Sequence, residues 1–276
     1  MVSGKDRQKQ LAREHYERQM AARIQRERAA KRTAAIGTSI GVLVVIGGIV
    51  AAAAFLGGGN GTTEAAATPE AAPSSDASAP AGPKAYDPAS GTCEFLADGQ
   101  AAKDVGQPPA KVDAAPAVMT IKTSVGTIEA DLDGAKAPCT VGSFKYLAEK
   151  KYFNDTKCHR LTTEGIKVLQ CGDPTATGSG GPGYRFTDEN LDGASYKRGV
   201  LAMANSGPGT NGSQFFIVYG DETDAALQDA YTPFGTITKG MDVVDKIAKD
   251  GVEGGGADGQ PKTTVDIKDV TITSKS

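Results

Sequence analysis

The chain has 276 residues, a length that allows one or two domains, and its four cysteines and two histidines include no CxxC pair, which excludes an ordinary zinc site. Residues 1–33 hold ten Lys/Arg against four Asp/Glu, so +6; the whole chain is −3, so the remainder is −9. A remainder of that sign excludes an extended basic footprint for nucleic acid.

Residues 5–32 read as a charged helix on which Tyr16, Met20 and Ile24 recur at i+4. A stripe this narrow suits a solvated cytoplasmic helix; a weak coiled coil or a helix lying on anionic lipid are the alternatives. The next 23 residues, 34–56, contain no charge, and a bilayer core needs about 20 helical residues. Arg23, Arg26, Arg28, Lys31 and Arg32 precede this run, and no Lys or Arg follows until Lys84. Such an asymmetry predicts a single transmembrane helix in the cell membrane, with the N-terminus cytoplasmic and everything from residue 57 outside. A cleaved signal peptide ending near Ala52-Ala53-Ala54 is the rival reading, but the segment before the apolar run is too long for one. Residues 57–92, rich in Ala, Pro, Ser, Gly and Thr, predict a disordered linker. Residues 93–116 form a transition in which Cys93, Phe95 and Leu96 are the residues able to touch a following domain.

That domain, residues 117–276, alternates short β-type runs with glycine-containing turns. Val118–Thr123 and Thr127–Leu132 flank Ser124-Val125-Gly126, and Cys158–Thr162 and Ile166–Cys171 flank Thr163-Glu164-Gly165, so two hairpins are expected. Strands are also expected at Gly199–Ala204, Ser213–Val218, Phe234–Thr238 and Thr264–Thr273. Pro138–Lys151 carries Val141, Phe144, Leu147 and Ala148 at helical spacing, and Met241–Ala248 carries Met241, Val244, Ile247 and Ala248 on one side, with Gly251 after its end. The predicted fold is mainly β: a closed eight-stranded antiparallel barrel capped by two helices. Cys93, Cys139, Cys158 and Cys171 all fall on the predicted outer side, where four cysteines predict two disulfides; three pairings are compatible with the sequence.

The chemistry concentrates in two strands. In Ser213-Gln214-Phe215-Phe216-Ile217, Gln214 and Phe216 share one face, and Phe215 and Ile217 share the other. One face can fill a core; the other sets an amide beside an aromatic floor. In the second hairpin Arg160 and Gln170 lie on facing strands. One cation, two amides and an apolar floor, with no nucleophile or general-base pair beside them, suit a reaction that needs only binding and polarisation. Rotation about an X-Pro bond is such a reaction. Its barrier of about 18–20 kcal/mol comes from amide resonance, and a guanidinium hydrogen-bonded to the imide favours the twisted form over both planar ones.

The residue order CHRL…VLQCGDPTATGSGGPGYRFTDEN, then RGVLAMANSGPGTNGSQFFI, then YTPFGTITKGMDVVDKI resembles the cyclophilins, the peptidyl-prolyl cis-trans isomerases, across about residues 118–274. The resemblance implies a barrel fold, proline-containing polypeptides as substrates and no cofactor. Carried across residue by residue, it implies that Arg160 is the catalytic arginine and that Gln170 orients it. It makes Gln214 the substrate-binding glutamine, Ala204 and Asn205 the pair whose backbone grips the peptide, and Phe216 and Leu227 the floor and wall of a proline pocket. The sequence departs from the family in three places. The run from Thr162 to Leu169 is two residues longer than usual, so Ile166 or Val168 must supply an apolar wall. Tyr231 stands where the family has a histidine, and Ala226 where many members have a tryptophan. With the arginine, glutamines and floor retained, the expected function is isomerisation of X-Pro bonds in exported or cell-envelope proteins; a proline-peptide binding module with little turnover is the alternative.

Overall fold

A computed structural model describes residues 82–223, 227 and 229–275. The expected cytoplasmic helix, the membrane span 34–56, most of the linker and Ala226 lie outside these residues. Among the described residues no helix is long and apolar enough to cross a membrane.

In chain order the strands and helices are β1 (Leu96–Ala97), β2 (Ala117–Thr123), β3 (Gly126–Leu132), α1 (Pro138–Glu149), β4 (Thr156–Lys157), β5 (Arg160–Thr162), β6 (Val168–Cys171), β7 (Tyr184–Arg185), β8 (Val200–Met203), β9 (Phe215–Val218), β10 (Pro233–Lys239), α2 (Met241–Asp250), β11 (Asp258–Gly259) and β12 (Asp266–Ser274). Ten strands make one curled, half-barrel sheet in the order β11-β5-β6-β9-β8-β10-β3-β2-β12-β4, and β1 pairs with β7 separately.

The count of ten corrects the eight-stranded closed barrel expected from the sequence. The strand expected at Cys158–Thr162 begins only at Arg160, and β4 precedes it as an additional strand. Thr156 and Lys157 pair with β12, the Cys158 N–H donates to the Val265 carbonyl, and the His159 N–H already donates to Gln170. One short stretch thus changes partners between the two ends of the sheet. The two-residue β11 adds the tenth strand. Strand β6 starts at Val168 rather than Ile166, because the Thr162 hydroxyl captures the Ile166 carbonyl at 2.7 Å inside the loop.

Both hairpins form, the first around the two-residue turn Ser124-Val125 with Gly126 already in β3, the second around a loop wider than Thr163-Glu164-Gly165. Thr123 opposes Gly126 across the first turn, and Arg160 opposes Gln170 in the second. Helix α1 buries Val141, Phe144, Leu147 and Ala148, the four positions its spacing singles out. Phe144 meets Phe153, Phe215 and Phe234 at ring-centroid distances of 5.3, 5.6 and 4.7 Å, which makes this cluster the centre of the core. Helix α2 buries Val244 and Ile247 against the same core. Its first turn lies so close to β3 that a Cβ on Gly240 would stand 2.4 Å from the Thr127 carbonyl oxygen, and φ there is +87°. Only glycine meets both conditions.

The first turn of α1 has no side-chain cap of its own. Glu189 supplies one from a distant loop, its carboxylate accepting from the Cys139 N–H at 2.9 Å, the Thr140 N–H at 2.8 Å and the Thr140 hydroxyl at 2.7 Å. A carboxylate here satisfies donors that the helix leaves unpaired and faces the positive end of its dipole. The Cys93–Cys139 disulfide joins the same turn to the N-terminal segment.

Residues 93–116 pack onto the core through that bond and through Phe95, whose ring lies edge-on to Tyr184 at 5.5 Å and to Phe186 at 5.7 Å. Within the stretch assigned to the linker by composition, residues 87–92 close a turn through the Asp87 N–H to the Thr92 carbonyl at 2.9 Å and the Gly91 N–H to Asp87 at 2.8 Å. Backbone hydrogen bonds and a covalent tie order this stretch, where composition offered no apolar face. The second disulfide joins Cys158 to Cys171 across the mouth of the β5–β6 hairpin.

Candidate active site

Arg160, Gln170, Phe216 and Ala202 stand opposite one another in register across β5, β6, β9 and β8. Directly opposed residues share a face, so one row across four strands carries a cation, an amide, an aromatic ring and a methyl group. The residues between them, Leu161, Leu169, Ile217 and Leu201, point into the core and hold the row in place. The alternation read in Gln214–Ile217 holds: Phe215 and Ile217 belong to the core, and Phe216 belongs to a separate cluster on the other face.

That second cluster contains Val168, Tyr196, Ala202, Phe216, Val218 and Leu227, with Ile166, Ala204 and Tyr231 packed at its edge. Leu227 is 7% exposed and Phe216 4%, so both are mostly covered by their neighbours. The Tyr231 ring stands edge-on to Phe216 at 5.6 Å, and its backbone is clasped by the Tyr196 hydroxyl, which accepts from the Tyr231 N–H at 3.0 Å and donates to the Tyr231 carbonyl at 2.7 Å. Of the two candidates for the apolar wall, Val168 is only 2% exposed, so the half-buried Ile166 is the one with surface left to meet a ligand.

A chain of polar contacts runs along the other side of the floor. The Arg160 guanidinium donates to the Gln170 carbonyl oxygen at 3.3 Å, Gln170 Nε2 donates to Gln214 Oε1 at 2.8 Å, and Gln214 Nε2 donates to the Gly180 backbone carbonyl at 2.9 Å. Each amide spends its oxygen on the arginine side and its nitrogen on the far side, so all the dipoles point the same way.

Both ends of this chain are anchored by residues that the sequence pattern did not single out. At the far end Asp173, fully buried, accepts from the N–H groups of Thr175, Thr177, Gly178 and Gly180 and so shapes the loop that presents the Gly180 carbonyl. At the near end Asp258 grips Arg160. The floor strand itself is seated by Gly172, with φ +92°, where a Cβ would fall 2.2 Å from the Ser213 carbonyl oxygen.

The Ala204–Asn205 rim is also braced. The Ala204 N–H donates to the Gln214 carbonyl at 2.9 Å. Asn205 donates its side-chain amide to Ala230 at 3.1 Å and accepts from the Gly207 N–H at 3.3 Å. The Asn205 side chain is thus used in shaping its own loop.

The ionisation pattern suits a site that works by hydrogen bonding rather than proton transfer. Hydrogen bonding to the Asp258 carboxylate raises the Arg160 pKa above its ordinary value, so the guanidinium stays charged. Burial lowers the pKa of neighbouring His159, with Asp173 pulling the other way, and its side chain falls on the opposite strand face from Arg160. Cys158 is spent in a disulfide and offers no thiolate. The arrangement can hold an extended peptide, seat an apolar ring and direct N–H groups at an amide.

Residues 118–272 match the family model described as cyclophilin type peptidyl-prolyl cis-trans isomerase/CLD. The chain is 47% identical over 190 residues to a probable peptidyl-prolyl cis-trans isomerase B of Mycobacterium leprae (strain TN), covering 63% of each chain. It is also 47% identical over 178 residues to the probable peptidyl-prolyl cis-trans isomerase B of Mycobacterium tuberculosis (strain ATCC 25618 / H37Rv), covering 59% of this chain and 57% of the relative. The matched part therefore spans less than two thirds of either relative. A crystal structure of a Cryptosporidium parvum cyclophilin type peptidyl-prolyl cis-trans isomerase in the presence of the dipeptide Ala-Pro superimposes with a TM-score of 0.51 at 31% identity, covering 57% of this chain and 99% of that one.

Proposed function

The chain belongs to the cyclophilin-type peptidyl-prolyl cis-trans isomerases, and we propose that it accelerates rotation about X-Pro bonds in polypeptides outside the cytoplasm. The observation that carries this reading is the row Arg160–Gln170–Phe216, with Gln214 beside it: a charged donor stands across from an apolar floor with one strand between them. A proline ring seated on Phe216 with Leu227 and Ile166 around it would bring its imide nitrogen and the carbonyls on either side within the reach of Arg160. Donation from the guanidinium draws electron density onto the imide nitrogen, the C–N bond loses double-bond character, and the twisted form is stabilised over either planar one. Gln214 and the backbone of Ala204 and Asn205 hold the residues before the proline. Gln170 keeps the guanidinium and Gln214 in a fixed relation. Each group binds, orients or polarises, and no covalent step is needed. The Ala-Pro dipeptide used with the Cryptosporidium protein supports proline-containing peptides as the ligand class.

The location is part of the proposal. The uncharged run 34–56 with its basic flank supports one membrane span with residues 57–276 outside, and two disulfides support an oxidising compartment. Acceleration of cis-trans exchange in an X-Pro peptide, measured by protease-coupled absorbance or NMR exchange, tests the activity; a protein with an intact fold and no effect on that exchange refutes it. Protease added to intact cells tests the location. Release of the folded domain is expected, and protection until the membrane is opened refutes it.

A further inference from the structure

The loop from Gly251 to Pro261, between α2 and β12, has no role in the site as read from the sequence. It is nevertheless closed on itself. Val252 bridges Pro261, the Glu253 N–H donates to Gln260 at 2.8 Å, and the Lys262 N–H donates to Gly251 at 2.8 Å. A Cβ on Gly259 would stand 2.9 Å from Val252 Cγ1, so the two arms lie in close contact. The loop is tied to the catalytic hairpin through the Thr163 N–H to the Ala257 carbonyl at 2.9 Å and through the pairing of β11 with β5, Asp258 opposite Thr162 and Gly259 opposite Leu161.

This frame delivers one carboxylate to Arg160. The Arg160 Nε–H donates to Asp258 Oδ1 at 2.7 Å and Nη2 donates to Asp258 Oδ2 at 2.7 Å, a two-pronged pair on one edge of the guanidinium. Gln170 takes a hydrogen of Nη1 at 3.3 Å. A guanidinium has five N–H hydrogens. Three are engaged, and the two that remain sit one on each terminal nitrogen.

We propose that Asp258 is a positioning residue for the isomerase reaction: it fixes the plane and rotation of the Arg160 guanidinium so that these two remaining hydrogens face the proline imide. The inference rests on the isomerase reading above. Its rival is an ordinary surface ion pair. The side chains of Arg160 and Asp258 are 39% and 53% exposed, and a pair this wet contributes little to folding, so the fold has little need of it. Arg198 and Asp245 provide the comparison. They also form a two-pronged pair, through Nη1 and Nη2 with both contacts 2.7 Å, at similar exposure, but it joins the loop before β8 to α2, apart from the Gln170–Gln214 chain. What distinguishes the Asp258 pair is that the arginine it turns also contacts Gln170. A guanidinium released from Asp258 keeps its charge and one weak contact but samples several rotamers, and ordering it again falls on the reaction barrier.

The experiment is a comparison of full-length protein with Asp258→Asn, Asp258→Glu and Asp245→Asn, reading kcat and KM for an X-Pro peptide, thermal unfolding, and the 15N–1H signal of the Arg160 Nε–H. Asp258→Asn is nearly isosteric and should keep the fold. It should lower kcat by a factor of roughly ten to a hundred, the scale of loss when a catalytic group is misplaced by about 1 Å, while KM stays close to that of the unaltered protein, and the Nε–H signal should move or broaden through faster exchange. Asp258→Glu should recover part of the loss, and Asp245→Asn should show none. In an Arg160→Ala background, Asp258→Asn should cause no further loss, because its only route to the reaction is through that arginine. An Asp258→Asn protein with unchanged kcat, or one whose loss persists in the Arg160→Ala background, overturns the inference. If the unaltered protein shows no turnover, the isomerase reading falls and takes this inference with it; if it is active and Asp258→Asn equally so, this inference alone falls.

Discussion

Replacing Arg160 by alanine removes three hydrogen bonds, two to Asp258 and one to Gln170, and leaves the sheet pairing of β5 intact, because that pairing is made by the backbone. The stability cost follows from the exposure of the pair, 39% and 53%. An ion pair of this kind contributes about 0–1 kcal/mol, and for a folded unit of about 150–250 residues 1 kcal/mol moves Tm by roughly 2–4 °C. Gln170 keeps its 2.8 Å bond to Gln214, and Gln214 keeps its 2.9 Å bond to Gly180, so the rest of the polar chain stays assembled. The loss should therefore fall on kcat. Removing one preorganised donor from a developing charge costs about 2.7–4 kcal/mol, or about 10²–10³ in rate. Arg160→Lys should recover little, since a single ammonium reproduces neither the planar fork to Asp258 nor the donors left for the imide. Exchange-rate measurement on an X-Pro peptide and a thermal melt of the same sample decide the matter. Unchanged kcat/KM in the alanine variant, or a loss matched by the fraction unfolded, would refute the role given to the guanidinium.

Two further predictions concern the framework. The Cys93–Cys139 bond closes a separation of 46 residues and Cys158–Cys171 one of 13; the loop-closure relation assigns them about 4 and about 3 kcal/mol respectively. Denaturant unfolding of Cys93→Ser/Cys139→Ser should show the larger loss and that of Cys158→Ser/Cys171→Ser the smaller, and equal midpoints with and without either bond would contradict the assignment. Asp173 supplies a pH signature. Its burial raises its pKa, but hydrogen bonds from the Thr175 hydroxyl and from the Gly180, Thr175 and Gly178 N–H groups outweigh that effect and leave it below the reference 3.8. A carboxylate lowered in the fold contributes stability that is present above the unfolded value and lost as pH falls through the folded one. Melts of the unaltered protein should therefore drop in the range below pH 3.8, and Asp173→Asn should be less stable at neutral pH and flatter across that range. The same variant should be slower, since the loop that presents the Gly180 carbonyl to Gln214 is built around this carboxylate. A variant with unchanged rate and an unchanged acid limb would show that the loop holds without it.

The parts of this protein that its sequence determines alone are those governed by neighbours a few residues apart. The opposite faces of Phe215 and Phe216 follow from the two-residue repeat of a strand, and the buried stripe Val141–Phe144–Leu147–Ala148 follows from the helical repeat. The turn residues mark both hairpins, so local pattern alone sets Arg160 and Gln170 on paired strands, though not the register in which they oppose. The tertiary structure decided what joins distant stretches. Asp258 reaches Arg160 across 98 residues, and Glu189 reaches the start of α1 across about 50, on loops whose composition marks them only as turns. The cysteine pairing was open among three arrangements, because spacing carries no information on which Cβ atoms meet. The strand expected from Cys158 starts only at Arg160, because the Cys158 N–H is taken by the Val265 carbonyl before the backbone turns to β6. Periodicity records which side of an element is apolar. It does not record which loop crosses above it, and that crossing places a carboxylate on the arginine at the centre of the site.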